Sequence, residues 1–212
     1  MRIAAITLSP QGLGIARAIK KELPTLRIYV HKDVANAGRC VRFRGIMELV
    51  ADIFQKYDGI VFIAPCGVAV RAIAPHLRHK KKDPGIVAVD VLARFAVSLA
   101  GGHEGGANEL TLRVANILGA EPVISTTTEA LKTVIVGVGC RRNAQAGAIV
   151  TAVNTALSRI GEKAENVRYL ASADIKKSEK GLIEAAGILN IPLRFVSSSE
   201  IRNAKAEFTS SA

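Results

Sequence analysis

The residue types best suited to chemistry lie in the segment 98–110, where a histidine, an asparagine and two glutamates stand among four glycines after an apolar run. His103 is the candidate acid or base, because imidazole changes charge near neutral pH. We interpret the neighbouring glycines, among them Gly105 and Gly106, as backbone that leaves open space for a ligand. A strand that hands over to a helix is a common ligand site in α/β domains, so the segment predicts a functional site.

Two further polar residues of this segment have two interpretations each. Asn108 stands where a helix is predicted to begin, so it either caps that helix or contacts a ligand as a hydrogen-bond donor. Glu109 either takes part in catalysis or pairs with Arg113, four residues later on the same helix. The sequence leaves both choices open.

A second glycine segment lies at residues 137–142, Gly-Val-Gly-Cys-Arg-Arg. It matches a dinucleotide loop only weakly, because Arg142 stands where that motif needs a third glycine. A strand end, a glycine turn and two arginines at a predicted helix start suit carboxylates, which accept hydrogen bonds from backbone N–H groups and guanidinium groups. Gly139, Arg141 and Arg142 are therefore candidate anion-binding residues, with a structural turn and exposed arginines as the alternative.

The segment 65–71 has the same strand, turn and helix-start pattern in the first half of the chain. Gly67 and Arg71 are candidate ligand-binding residues, since Arg71 lies one turn into the predicted helix and could reach the same crevice. Cys66 is either a nucleophile activated by the helix N-terminus or a small buried thiol. We favour the buried thiol, because the sequence names no partner base.

Charge and composition limit the classes of partner. The 212-residue chain carries 29 Lys and Arg against 18 Asp and Glu, a net charge of +11 that favours an anionic partner. The densest basic run, residues 78–82, contains no aromatic residue for stacking on bases, so we interpret it as a solvated loop and expect no nucleic acid. No apolar run is long enough to cross a membrane or to form a signal peptide, which predicts a cytoplasmic protein without a membrane partner.

Cysteine and histidine spacing bears on metals. The three cysteines form no C-x-x-C pair, and the four histidines show no spacing typical of metal ligands. The sequence therefore predicts reduced thiols and no metal site in the protein.

Hydrophobic periodicity predicts an α/β fold with two layered domains. The first domain, residues 1–131, opens with a β-α-β unit and is predicted to be Rossmann-like; the second, residues 132–212, is small and repeats the alternation. The predicted strands are residues 3–8, 27–30, 60–64, 85–89, 95–99, 122–124, 134–138, 167–172 and 192–196, and the predicted helices are 12–23, 45–56, 68–74, 105–118, 146–160 and 179–189.

Longer stretches of the chain carry a family resemblance. In the first domain they are residues 59–64, 67–75, 83–84, 87–90, 94–99, 102–110 and 122–126; in the second they are 136–142, 170–176 and 191–195. These stretches resemble the CbiG family of anaerobic cobalamin synthesis, the second set resembling its C-terminal, CobE-like domain.

The resemblance implies an enzyme that hydrolyses cobalt-precorrin-5A. Such an enzyme opens the δ-lactone of a cobalt-bound corrinoid and releases a two-carbon fragment as acetaldehyde. For this reaction His103 is the candidate for activating water, with Asn108 or a glycine N–H as the donor to the oxyanion. The acetate and propionate groups of the corrinoid would be bound by arginines, for which the candidates are Arg71, Arg94, Arg141 and Arg142.

The resemblance also carries expectations about cofactors and partners. Cobalt arrives within the substrate, so we expect no cofactor, and the partner is the anionic corrinoid itself, with a homodimer or other cobalamin-pathway enzymes as further possibilities. A non-catalytic protein that binds or carries a corrinoid or tetrapyrrole is the alternative function. The family's C-terminal domain ordinarily continues well beyond the strand that contains Phe195, so we expect a shortened domain with a polar tail at residues 207–212.

Overall fold

The computed structural model describes residues 1–204. The chain divides into two compact units, with the boundary between Ala130 and Leu131. Both units combine β-sheet with α-helices, so the α/β fold class predicted from the sequence is confirmed.

The first unit is built on a seven-stranded sheet in the order β3-β2-β1-β4-β5-β6-β7. Strands β1 to β5 run parallel to one another, β6 runs antiparallel to β5, and β7 runs parallel to β6. The short strands β3 and β7 form the two edges. The elements are β1 (Ile3–Thr7), α1 (Pro10–Glu22), β2 (Arg27–His31), β3 (Val41–Phe43), α2 (Ile46–Ile53), β4 (Gly59–Ile63), α3 (Cys66–Ile73), β5 (Gly85–Val89), β6 (Phe95–Ala100), α4 (Ala107–Leu118), β7 (Glu121–Val123) and α5 (Thr127–Ala130).

Helices cover both faces of this sheet. Every residue of β1, β4 and β5 is buried, as expected for strands of a parallel sheet with helices on both sides. Alternate strand residues enter two separate cores: one packs against α1 and α4, and the other against α2 and α3. The unit is therefore a doubly wound, Rossmann-like α/β domain.

Strand β6 reverses direction because only five residues, Asp90–Arg94, connect it to β5. A parallel connection needs a crossover of a dozen residues or more, so this short link permits only an antiparallel neighbour. The carboxylate of Asp90 organises the turn: Oδ1 accepts a hydrogen bond from the N–H of Leu92 at 2.9 Å, and Oδ2 accepts from the N–H groups of Arg94 at 2.9 Å and Phe95 at 2.8 Å.

The second unit has a three-stranded parallel sheet in the order β10-β9-β8. Its core joins the strands to the two longer helices. Gly181, in the second of these helices, has no room for a side chain, because a Cβ there would overlap the carbonyl oxygen of Ala144, two residues before the first helix begins. The described elements are β8 (Val134–Gly137), α6 (Ala146–Arg159), β9 (Val167–Ala173), α7 (Lys180–Leu189), β10 (Leu193–Val196) and α8 (Ser198–Asn203).

Most predicted elements lie within a few residues of their observed bounds, but three short ones were missed. These are β3, α5 and α8; the last begins with a capping box in which Ser197 and Glu200 bond each other's backbone N–H groups. The predicted polar tail at residues 207–212 lies outside the described residues. Within residues 1–204, none of the helices has the length and apolar character needed to cross a membrane.

Candidate functional site

In the first unit, the carboxyl ends of β1 to β5 share one edge of the sheet, here called the carboxyl edge. Strand order reverses between β1 and β4, and this switch point is where doubly wound domains usually bind ligands. Two helices begin there: Ser9 caps α1 through a bond from the N–H of Gly12 to its Oγ, 3.1 Å, and Cys66 is the first residue of α3.

Three predicted binding residues lie at the carboxyl edge. Gly67 follows Cys66 at the start of α3, and only an Arg71 side-chain nitrogen, at 3.9 Å, comes near the position that a Cβ on Gly67 would take. Arg71 is exposed on the same helix. Arg94 is engaged within its own turn, because its Nε lies 3.4 Å from Asp90 Oδ1 and its guanidinium lies 5.7 Å from the centre of the Phe95 ring.

Cys66 is exposed, so the expectation of a buried thiol is wrong. A first-turn position on α3 leaves its side chain outside the helix-sheet interface. No structural need for a thiol is apparent at this position.

The glycine-rich segment that follows β6 lies at the opposite edge, here called the amino edge. Because β6 is antiparallel to β5, the segment packs against the amino end of β5. A Cβ on Gly85, the first residue of β5, would lie 2.7 Å from the carbonyl oxygen of Gly105. A five-residue strand is about 15 Å long, so His103, Gly105, Gly106, Asn108 and Glu109 are that far from the carboxyl edge.

The glycines of this segment are required by the fold, so the interpretation that they leave open space is wrong. Gly101 and Gly106 have left-handed backbone, with φ of 71° and 77°. A Cβ on Gly102 would lie 2.5 Å from Cγ2 of Thr126, and a Cβ on Gly105 would lie 2.8 Å from the carbonyl oxygen of Gly101. Close packing explains these positions, and it fixes the loop that carries His103.

Asn108 is the centre of a buried polar network. Its Oδ1 accepts a hydrogen bond from Ser98 Oγ at 2.8 Å, and its Nδ2 donates to Thr126 Oγ1 at 3.0 Å. These bonds join β6, α4 and the segment that follows β7. The helix cap is Gly106, so the capping interpretation of Asn108 is wrong: the residue lies inside the first turn with its amide in the network.

The exposed tip of the segment meets the basic loop 78–82. Glu104 Oε1 lies 3.2 Å from the ammonium of Lys80. The buried Asp83 holds that loop in place, since its Oδ2 accepts hydrogen bonds from the N–H groups of Arg78 and His79, both at 2.8 Å. Residues 78–82 are all exposed, which confirms the predicted solvated loop, and the Lys80–Glu104 pair is a surface contact between this loop and the segment that carries His103.

Two candidate catalytic side chains face solvent at this edge. His103 is exposed, and no hydrogen bond to its imidazole is present within residues 1–204. Glu109 is also exposed, and in this part of the chain it forms no ion pair with Arg113.

In the second unit, the carboxyl ends of all three strands share one edge. Gly139 follows β8 there, is exposed, and has open space around the position of a Cβ. Asp174 follows β9, and Ser198 follows β10. The hydroxyl of Ser198 donates to Asp174 Oδ1 at 2.6 Å, and this bond holds the pKa of Asp174 below its usual value.

A cavity of about 680 Å³ opens at the starts of α6 and α7 in this unit. Arg142 lines it, whereas Arg141 is exposed outside it. Both arginines precede α6, which begins at Ala146, so their predicted place at the helix start is wrong. The left-handed backbone of Asn143, with a φ of 60°, turns the chain before the helix.

Charged residues of both signs line this cavity. The lining includes the cations Arg142, Lys176 and Lys180 and the carboxylates Glu179 and Glu184. Glu179 is tied to the loop: its Oε1 accepts from the N–H of Asn143 at 2.7 Å, and its Oε2 lies 3.8 Å from the ammonium of Lys176.

The sequence reasoning missed the two lysines and Glu179. Residues 175–180 come shortly after a predicted strand, as Gly139 does. The sequence signal for a site there was this position, because ligands often bind at the carboxyl ends of parallel strands. Within residues 1–204, no cluster of three or more His, Cys, Asp or Glu side chains could hold a metal ion.

These features define a two-unit α/β protein. The first unit has the strand order of a doubly wound domain, and the second has a cavity lined by charged residues of both signs. Two family models match the chain, Cobalamin synthesis G N-terminal over residues 48–129 and Cobalamin synthesis G C-terminus over residues 134–212. The chain belongs to this family, CbiG, as the resemblance in the sequence indicated.

Two curated relatives carry the name cobalt-precorrin-5A hydrolase. The chain is 35% identical to the protein of Salmonella typhimurium over 127 residues, which cover 60% of this chain and 36% of that protein. It is 30% identical to the protein of Priestia megaterium over 189 residues, which cover 87% of this chain and 47% of that protein. The chain thus spans less than half the length of either relative.

A solved structure is also similar to the chain. It is a cobalamin biosynthesis protein G homolog from Sulfolobus solfataricus, with a TM-score of 0.47 and 18% identity, covering 96% of this chain and 82% of the other.

Proposed function

We propose that this chain acts as a cobalt-precorrin-5A hydrolase, which opens the δ-lactone of a cobalt-bound corrinoid and releases acetaldehyde. The observation that carries the proposal is the match of both halves of the chain to cobalamin synthesis G models, together with curated relatives of that name. The net charge of +11 suits a substrate with many carboxylates. Cobalt belongs to the substrate in this reaction.

His103 at the amino edge is the proposed base that activates water. Its imidazole is exposed and, in the described part of the chain, not hydrogen-bonded, so its lone pair is available to a water molecule. The packed glycines around it fix the loop, which keeps the base in a constant position relative to a bound substrate.

Asn108 contributes by positioning this loop, and it can also donate to the oxyanion. One N–H of its amide is used by Thr126, and an amide nitrogen has two. The remaining N–H, or a backbone N–H of the glycine segment, is the proposed donor.

Carboxylates of the substrate are proposed to bind basic side chains. At the amino edge these are the lysines of loop 78–82, of which Lys80 pairs with Glu104, the residue that follows His103. In the second unit they are Arg142, Lys176 and Lys180 around the cavity. A substrate carboxylate there would compete with Glu179 for Lys176.

The deciding experiment measures acetaldehyde and the corrinoid product after incubation with cobalt-precorrin-5A. Release of acetaldehyde with conversion of the lactone supports the hydrolase. Tight binding of the corrinoid without release would overturn the hydrolase in favour of the alternative, a corrinoid-binding or carrier protein. If the chain neither binds nor converts the corrinoid, both the hydrolase and the carrier function are overturned.

A pair of variants locates the chemistry within the first unit. His103→Gln keeps a polar side chain but removes the base, so we expect acetaldehyde release to fall about 100-fold or more. Lys32→Gln is the control, because Lys32 is exposed and directly follows β2 at the carboxyl edge, and we expect a change below about threefold. The reverse order of effects would move the active site to the carboxyl edge.

A further inference from the structure

A second cavity lies in the first unit at the amino ends of β2 and β3, on the far side of the sheet from the segment that carries His103. Its volume is about 460 Å³, and it is formed by α1, the start of β2 and the loop that leads into β3. Three strands, β1, β4 and β5, separate β2 from β6. At about 4.8 Å per strand spacing, β2 lies roughly 19 Å from β6, the strand that leads into the segment that carries His103.

Four positive side chains line this cavity, and no carboxylate does. The cations are Arg17, Lys20, Arg27 and Arg39. Within residues 1–204, none of the four forms an ion pair with an acidic side chain. Like charges around one cavity repel each other, and a bound anion removes that cost.

The cavity is also held in shape. A side-chain nitrogen of Arg17 donates to the carbonyl oxygen of Asn36 at 2.5 Å, and Lys20 Nζ donates to that of Leu26 at 2.5 Å. These carbonyl bonds fix the side chains without neutralising their charge. Asn36 and Gly38 have left-handed backbone, with φ of 55° and 58°, which turns the loop onto α1.

We propose that this cavity binds a small molecule with several oxyanion groups, either carboxylates or phosphates. Arg27 and Arg39 are exposed, and each can donate two parallel hydrogen bonds to an oxyanion. Arg17 and Lys20 supply further positive charge from the adjacent helix. The proposed hydrolase activity neither requires this site nor explains it.

The test uses Cys40, which lines the cavity and is partly buried. In a Cys66→Ser/Cys140→Ser background it is the remaining thiol, so its alkylation by iodoacetamide reports on the cavity alone. We expect tripolyphosphate or citrate to slow this alkylation in a saturable way. Protection by one of them identifies the oxyanion as phosphate or carboxylate, and protection by both shows a site for either.

Charge-matched variants give the control. Arg27→Gln/Arg39→Gln is expected to weaken the binding of the protecting anion about tenfold or more, because charge-assisted hydrogen bonds are lost. Lys81→Gln/Lys82→Gln removes the same charge from loop 78–82 and is expected to change the protection less than about twofold. Circular dichroism checks that both variants are folded. If neither anion protects Cys40, or if both double variants weaken protection equally, the proposal is overturned.

Discussion

Replacing Gly85 with alanine tests whether the glycine-rich segment is held by close packing. A Cβ at this position would lie 2.7 Å from the carbonyl oxygen of Gly105, 2.8 Å from the backbone nitrogen of Ala107 and 3.0 Å from its Cα. All three atoms belong to the backbone, which cannot rotate aside as a flexible side chain would. We therefore expect Gly85→Ala to lower the free energy of unfolding by about 2–3 kcal/mol, near the upper end for overpacking.

The matched control is Gly67→Ala in the same unit. Only a side-chain nitrogen of Arg71, at 3.9 Å, is near the new Cβ, and the position is helical. Alanine there should raise the free energy of unfolding by about 0.5–1 kcal/mol, because it restricts the unfolded chain and favours the helix. The two variants should thus differ by about 3 kcal/mol.

Urea unfolding in a Tyr169→Phe background measures this difference in the first unit. The remaining tyrosines, Tyr29 and Tyr57, both lie there, so their fluorescence follows that unit alone. Equal stability of Gly85→Ala and Gly67→Ala would refute the packing argument. It would restore the interpretation of the segment as open backbone around a ligand.

Three further outcomes are expected. Asn108→Ala should lower the free energy of unfolding by about 2–3 kcal/mol in the same assay, because Ser98 and Thr126 each lose a hydrogen bond while they stay part-buried. An unchanged free energy of unfolding would contradict a stabilising role of this network. Burial, then the bond to Tyr57, raises the pKa of Tyr29 from 10.0 to about 12, so its neutral form stabilises the fold below pH 10.0 and that contribution is lost as pH rises through about 12; Tyr29→Phe should flatten the alkaline decline in stability. Ser198→Ala should raise the pKa of Asp174 towards its usual value in an NMR titration and reduce the loss of stability as pH falls through the native pKa, and an unchanged pKa would contradict the assigned cause.

The alternation of strands and helices was readable from the sequence because buried parallel strands are continuous apolar runs. Residues 85–89 form a strand at the predicted positions. Strand β3 was missed because three residues, with Arg42 exposed in the middle, carry too little pattern. Helices α5 and α8 are too short to show a helical period.

The site was harder to predict because periodicity gives the position of a strand but not its direction. Residues 95–99 were predicted to be a strand, yet the antiparallel course of β6 moves His103 to the amino edge. The signal was present, since the five residues Asp90–Arg94 are too few for a parallel crossover. Packing around Gly102 and Gly105, by contrast, depends on distant residues such as Thr126 and could not be read from local sequence.

The two edge strands bear on how copies of this protein could associate. Strand β7 contains Pro122, which has no N–H to donate, and β3 has three residues with an arginine in the middle. Short edges, proline and charge are features that oppose the addition of another strand. A homodimer formed through the first unit would therefore join by helix or loop surfaces, because both edges of the sheet oppose growth into a continuous intermolecular sheet or a fibre.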